Sequence, residues 1–103
     1  MAKKRERTAR RIEERSARKL VRDRERLAGL TTGGSPEYPI AVDSVAVIEV
    51  RAHAKPCHQC ESETRVGDHT VDHATGLRVV DVSCTRCAAK RQLWFRLVVD
   101  EPN

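Results

Sequence analysis

Aromatic residues are scarce: one Trp, one Tyr and one Phe make up 3% of the 103 residues. A core built on large rings is excluded, and whatever core forms must be aliphatic. Long apolar runs are also missing. The longest, Val45-Ala46-Val47-Ile48, falls far short of the about 20 residues that a membrane span needs. No apolar stretch follows the basic N-terminus, so a secretory signal is not expected. Acids at Glu6, Glu13, Glu14, Asp23 and Glu25 argue against an organellar transit peptide. The expected location is the cytoplasm. At 11.6 kDa and 34% charged residues, there is room for one small domain that buries little surface. A large enzyme with its own deep substrate cleft is excluded, and neither a membrane nor a small-molecule substrate is an expected partner.

Charge is abundant but uneven. Residues 1–28 hold twelve Lys/Arg against five Asp/Glu, whereas residues 29–103 hold eight against ten. The basic character, +5 for the whole chain, therefore belongs to an N-terminal arm. That arm lacks Pro and Gly and is rich in Arg, Glu, Lys, Ala and Leu, so it is expected to be helical. Glu6 with Arg10 and Glu14 with Arg18 are acid-before-base pairs spaced to support a helix. Apolar positions are sparse, and Ile12 falls out of the heptad shared by Leu20 and Leu27, so a long coiled coil is not supported. Gly29 is placed to stop the helix.

The domain plan expected is a basic helical arm over 1–30, a linker over 31–39 marked by Gly33, Gly34, Ser35, Pro36 and Pro39, and a second unit over 40–103. In that unit Val45, Val47, Ile48 and Val50 point to a strand near 44–53. Residues 63–73 and 77–83 suggest a hairpin turning at Ala74-Thr75-Gly76. A last strand over 90–99 would put Leu93, Phe95, Leu97 and Val99 on one face and Lys90, Gln92, Trp94 and Arg96 on the other.

All four cysteines occur in two Cys-x-x-Cys pairs, Cys57/Cys60 and Cys84/Cys87. Each pair offers two thiolates from one tight turn, and two such turns brought together make a closed tetrahedral site suited to one structural Zn²⁺. Thiolate softness favours zinc or iron over magnesium or calcium. In a cytoplasmic setting such pairs are more often ligands than disulfides.

On these residues the segment 57–99 resembles the zinc-ribbon superfamily: a Cys-x-x-Cys knuckle, a hairpin, a second knuckle and a return strand. The resemblance implies an antiparallel sheet of three to four strands, with Cys57, Cys60, Cys84 and Cys87 as metal ligands; together with the basic N-terminal helix, the fold class expected is small α+β. It does not imply one function, because zinc ribbons serve transcription, translation, replication and protein contacts. The chain departs from the usual pattern where Gly often follows the second Cys of a knuckle. Glu61 and Ala88 stand there, where a left-handed backbone would favour Gly.

Other readings of these residues exist. Rubredoxin-like iron sites share the cysteine layout but pack aromatics around it. A redox dithiol belongs in a βαβ pattern, which is absent. His58, between two ligands, reads as an outward turn residue. His53, His69 and His73 would make at most a weak second metal site. No nucleophile accompanies these groups, and four thiolates leave no open metal position, so an enzyme is not expected.

Four bases and no acids lie between Val82 and Val99: Arg86, Lys90, Arg91 and Arg96. Lys90 and Arg96 flank Trp94, an arrangement able to stack a base; the plainer reading is that Trp94 covers the small sheet. A zinc tetrathiolate would leave the ribbon net acidic. The arm is therefore the stronger nucleic-acid candidate, through Lys3, Lys4, Arg5, Arg7, Arg10, Arg11, Arg15, Arg18, Lys19 and Arg22. The expected role is a non-enzymatic zinc-binding accessory protein of nucleic acid or of a nucleic-acid machine such as the ribosome or RNA polymerase. The alternative is a protein–protein adaptor with a zinc-stabilised β platform.

Overall fold

A computed structural model describes residues 2–98, with side chains for residues 6–98. The side chains of Lys3, Lys4 and Arg5, and Val99 as a whole, lie outside the described residues. A long helix, α1 (Ala2–Leu30), leads into strand β1 (Ile40–Val42), helix α2 (Ala46–Ala54) and strands β2 (Thr64–Val71), β3 (Arg78–Cys84) and β4 (Lys90–Leu97). The result is an N-terminal helix followed by a four-stranded sheet, in the order β1-β4-β3-β2.

Residues 6–27 of α1 are exposed without interruption, and the chain extends 77 Å along its longest axis. Neither Glu6 with Arg10 nor Glu14 with Arg18 meets as an ion pair; the pairs among the described residues all involve histidine. Two long, solvated side chains gain too little in water to be held in one geometry. At its end Ala28 is buried, and Thr31 donates from its amide to Leu27 O (3.0 Å) and from its hydroxyl to Ala28 O (2.8 Å).

Residues 31–39, expected as a linker, are tied to both neighbours. Gly34 N donates to Thr31 O at 2.9 Å, and the Trp94 amide of β4 donates to Gly33 O at 2.8 Å. A Cβ on Gly34 would stand 1.6 Å from Ala28 O, so only glycine lets the chain fold back on the helix end. β1 then runs parallel to β4, Ile40 opposite Phe95 and Val42 opposite Leu97. This parallel pair makes the sheet mixed instead of antiparallel throughout.

The strand expected over 44–53 is a helix instead. Ser44 Oγ accepts the Ala46 amide at 3.2 Å, opening α2, and Pro56 follows its end, where a helix cannot comfortably continue. Ile48 and Ala52, four residues apart, are fully buried, while Val50 is exposed. The gain from placing these two against the sheet overrides the strand preference of the β-branched residues.

The hairpin of β2 and β3 turns over Asp72–Leu77, with Gly76 at φ 74° and the Thr75 hydroxyl donating to Asp72. β3 pairs antiparallel with β4, Val80 opposite Leu93 and Val79 opposite Trp94. One sheet face joins α2 in an aliphatic core of Ile40, Val42, Ile48, Ala52, Val80, Val82 and Leu93, with Phe95 as its single ring. The other face carries Lys90, Gln92, Trp94 and Arg96, as the alternation of β4 implies.

Candidate metal centre

The two knuckles sit at one end of the sheet. The second grows directly out of β3, which ends at Cys84, and returns into β4. The first lies between α2 and β2. Both repeat one hydrogen-bond plan. Cys57 N donates to Ser62 O (2.9 Å) and Cys84 N to Ala89 O (2.8 Å). Gln59 N reaches Cys57 Sγ and Arg86 N reaches Cys84 Sγ, each at 3.3 Å. Amides aimed at sulfur stabilise thiolates and leave their remaining lone pairs for a cation.

The repetition extends to backbone conformation. Glu61 (φ 62°) and Ala88 (φ 63°) are the non-glycine residues at positive φ among those described. They occupy the two positions where glycine was missing from the ribbon pattern. A side chain in this region costs roughly 1–2 kcal/mol. Glu61→Gly and Ala88→Gly are each expected to raise stability by about 1 kcal/mol, part of the relief being lost to the greater chain entropy of glycine. Urea denaturation of the metal-loaded variants checks this, and lower stability in both would contradict the strained-knuckle geometry.

The four Sγ atoms lie within 4.8 Å of one another, Cys57 and Cys87 at 3.5 Å and Cys60 and Cys84 at 3.4 Å. A tetrahedron with bonds near 2.3 Å has edges of about 3.8 Å, so this set fits around one ion. Cys57 and Cys84 are buried, Cys60 and Cys87 exposed. Hydrogen bonds from Ser62, hydroxyl first and amide second, pull the Cys60 thiol down to about 6. Cys87 accepts a bond from the Ala89 amide, which lowers it, yet desolvation and the three neighbouring thiols push it up to about 12. Four crowded thiols cannot all ionise unaided, and a divalent cation bound among them would supply the missing positive charge. The described residues hold no other such group: His53 faces Glu63 and His69 faces Glu49.

Sequence reasoning missed what holds the first knuckle. His58, expected to face solvent, has a side chain only 6% exposed and bonds Glu25 of α1. Gln59 Nε2 donates to Val21 O and to Glu25 Oε1, both at 3.0 Å, and Arg24 donates to Gln59 O. The His58 and Gln59 hydrogen bonds hold the Glu25 carboxyl below its usual range against desolvation. Arg91 is half-buried beside this junction. Its desolvation is opposed by attraction to Cys57 and Glu25, and its Nε has no hydrogen-bond partner. It is placed to offset negative charge of metal-bound thiolates. Only the position of His58 and Gln59 between two ligands signalled any of this.

The remaining predicted residues are dispersed. Arg7, Arg10, Arg11, Arg15, Arg18, Lys19 and Arg22 are exposed along α1, and Arg86 is exposed in the second knuckle. Lys90 and Arg96 are exposed on the open sheet face, with Trp94 half-buried between them and opposite the buried Val79. Trp94 therefore lies over the sheet and still offers part of its ring to solvent. Among the described residues no helix is long and apolar enough to cross a membrane. Comparison with protein-family models, with curated proteins and with solved structures finds no match to this chain.

Proposed function

We propose that this is a non-enzymatic accessory protein of nucleic acid or of a nucleic-acid machine, stabilised by one structural Zn²⁺ and attached through its basic N-terminal helix. Zinc is the favoured ion because Cys57, Cys60, Cys84 and Cys87 form a closed four-sulfur set, and a chain with one Trp, one Tyr and one Phe is poor in the aromatics that pack around rubredoxin-like iron sites. Four protein ligands leave no position for substrate water, which supports a structural role over a catalytic one. The ion would bind the two knuckles together and, through His58 and Gln59, fix the end of α1.

The observation that carries the attachment is the uninterrupted exposure of residues 6–27, whose cations have no carboxylate partners on the helix. Such a surface releases counterions when it meets phosphates. Binding of the zinc-loaded full chain to duplex and single-stranded DNA and RNA, followed against salt, tests this. A steep fall of affinity with salt is the expected result, and absence of binding at 20 mM salt would overturn it.

A second reading, the adaptor, is favoured by exposed Val45, Val47, Val50 and Val98 beside the short edge strand β1. Absence of nucleic-acid binding would leave this apolar patch as the leading contact surface.

A further inference from the structure

The twelve cations of the arm are not equivalent once the helix and its docking are known. At 100° per residue, Arg7, Arg11, Arg15, Arg18, Arg22 and Arg26 follow one another at three- or four-residue steps. They fall within an arc of about 100° on α1. From Arg7 to Arg26 this row is about 28 Å long. Leu20 and Leu27 lie on the opposite side, Ile12 and Leu30 stand about 90° from the centre of the row, and Glu6, Glu13 and Asp23 lie away from it. Glu14 and Glu25 border it, and Glu25 is already engaged by His58 and Gln59.

The first knuckle grips α1 beside this row, not upon it. Its contacts are Val21 O, Arg24 and Glu25, with Ala28 buried next to them. On the helical wheel these average roughly 100° from the centre of the arginine row. Arg7, Arg11, Arg15, Arg18, Arg22 and Arg26 all remain exposed. The metal-bearing end thus holds the helix with its arginine face to solvent.

We propose that this row is a docking face for the phosphate backbone of a double-stranded nucleic acid; the inference rests on the nucleic-acid reading of the arm and names the face and the ligand. Charge complementarity is the first argument, since the row is cationic over its whole length. Rigidity is the second. Cations fixed about 6 Å apart on a straight rod match a regular phosphate array better than a flexible strand. The third is chemical: α1 contains no Trp, Tyr or Phe, so it lacks the stacking surface that single-strand binders use. An α-helix also fits the major groove of B-form DNA, whose two rims would both face the arginine arc. Guanidinium groups bind phosphate oxygens bidentately, which favours arginine in this role over lysine.

The test uses the zinc-loaded full chain and mixed-sequence 24-mers: duplex DNA, duplex RNA and the corresponding single strands, each titrated across salt. With six phosphates neutralised, the slope of log K against log[salt] on duplex DNA is expected near −5. Arg11→Gln and Arg10→Gln change the same charge on adjacent residues that point about 100° apart. Arg11→Gln is expected to flatten the slope by about 0.9 and weaken binding roughly eightfold at 0.1 M salt. Arg10→Gln should lose less than half as much, and Arg65→Gln, exposed on β2, should leave the titration unchanged. Circular dichroism confirms that each variant stays helical. Equal losses for Arg10→Gln and Arg11→Gln would overturn the arginine face while leaving the arm as a diffuse anchor. Single strands bound as tightly as duplexes would overturn the ligand. Failure to bind any of the four would instead remove the nucleic-acid reading of the arm itself. Duplex DNA bound and duplex RNA refused, or the reverse, identifies the source and supports the face.

Discussion

Chelating the metal, or changing any one of Cys57, Cys60, Cys84 and Cys87 to Ser, is expected to unfold the sheet. Structural zinc supplies on the order of 10–16 kcal/mol in small domains, as much as the entire 5–15 kcal/mol by which a typical domain is stable. The apolar core here is a cluster of eight residues, of which Ala52 is small and Ile40 and Val42 are held only by the short β1. It has little in reserve once the ion is gone. The two knuckles would separate, β3 and β4 would lose their common end, and the His58 and Gln59 bonds to α1 would go with them. Trp94, the single tryptophan, reports on this directly through its place in β4. Its emission is expected to shift to the red on chelation and to return on adding Zn²⁺. A Cys→Ser variant that kept one equivalent of zinc and full stability would remove that cysteine from the ligand set.

The second large effect is expected at Phe95. Its ring is fully buried and meets the core between Arg78 on β3 and Ile40 on β1. Phe95→Ala should cost about 3–5 kcal/mol, because the removed ring leaves a cavity that a small aliphatic core cannot collapse to fill. Trp94→Ala, one residue along the same strand, removes a larger side chain from the half-exposed face, so no comparable cavity forms. A loss of about 1–2 kcal/mol is expected there. Parallel urea titrations of the two variants at saturating zinc decide the matter. Equal losses would mean that Trp94 seals a second core beneath the open face.

The cysteine set was legible because ligand chemistry is written in local spacing, and each knuckle is a local structure. The hairpin and β4 were legible for a similar reason: Gly76 marks the turn, and strict alternation through Leu93 and Phe95 marks the strand. The segment 44–53 was misread because its β-branched run has strand propensity, and its helical burial depends on strands β2 and β3, which begin 10 and 24 residues after α2 ends. β1 is only three residues long, and its partner β4 lies over 50 residues away. Its sequence therefore carries no mark of parallel pairing. The grip of His58 and Gln59 on α1 was hidden in the same way, since it joins positions 33 to 38 residues apart. The knuckles depart from the glycine-bearing pattern, yet keep its backbone: Glu61 and Ala88 themselves adopt the left-handed conformation.

The strand order has a consequence for the making of the chain. β4 lies between β1 and β3, yet it is translated after all the other described elements. As the chain emerges from N- to C-terminus, α1 can coil as soon as it is exposed. β1, by contrast, has no strand to pair with until β4 follows, and α2 waits for β2 and β3. Cys57 and Cys60 emerge well before Cys84 and Cys87, so an ion taken up by the first pair would wait with a half-filled coordination sphere. The nascent protein therefore passes through an interval in which two thiols and an open hydrophobic edge are exposed together. Completion of the four-thiol set and closure of the sheet then come as a single late event.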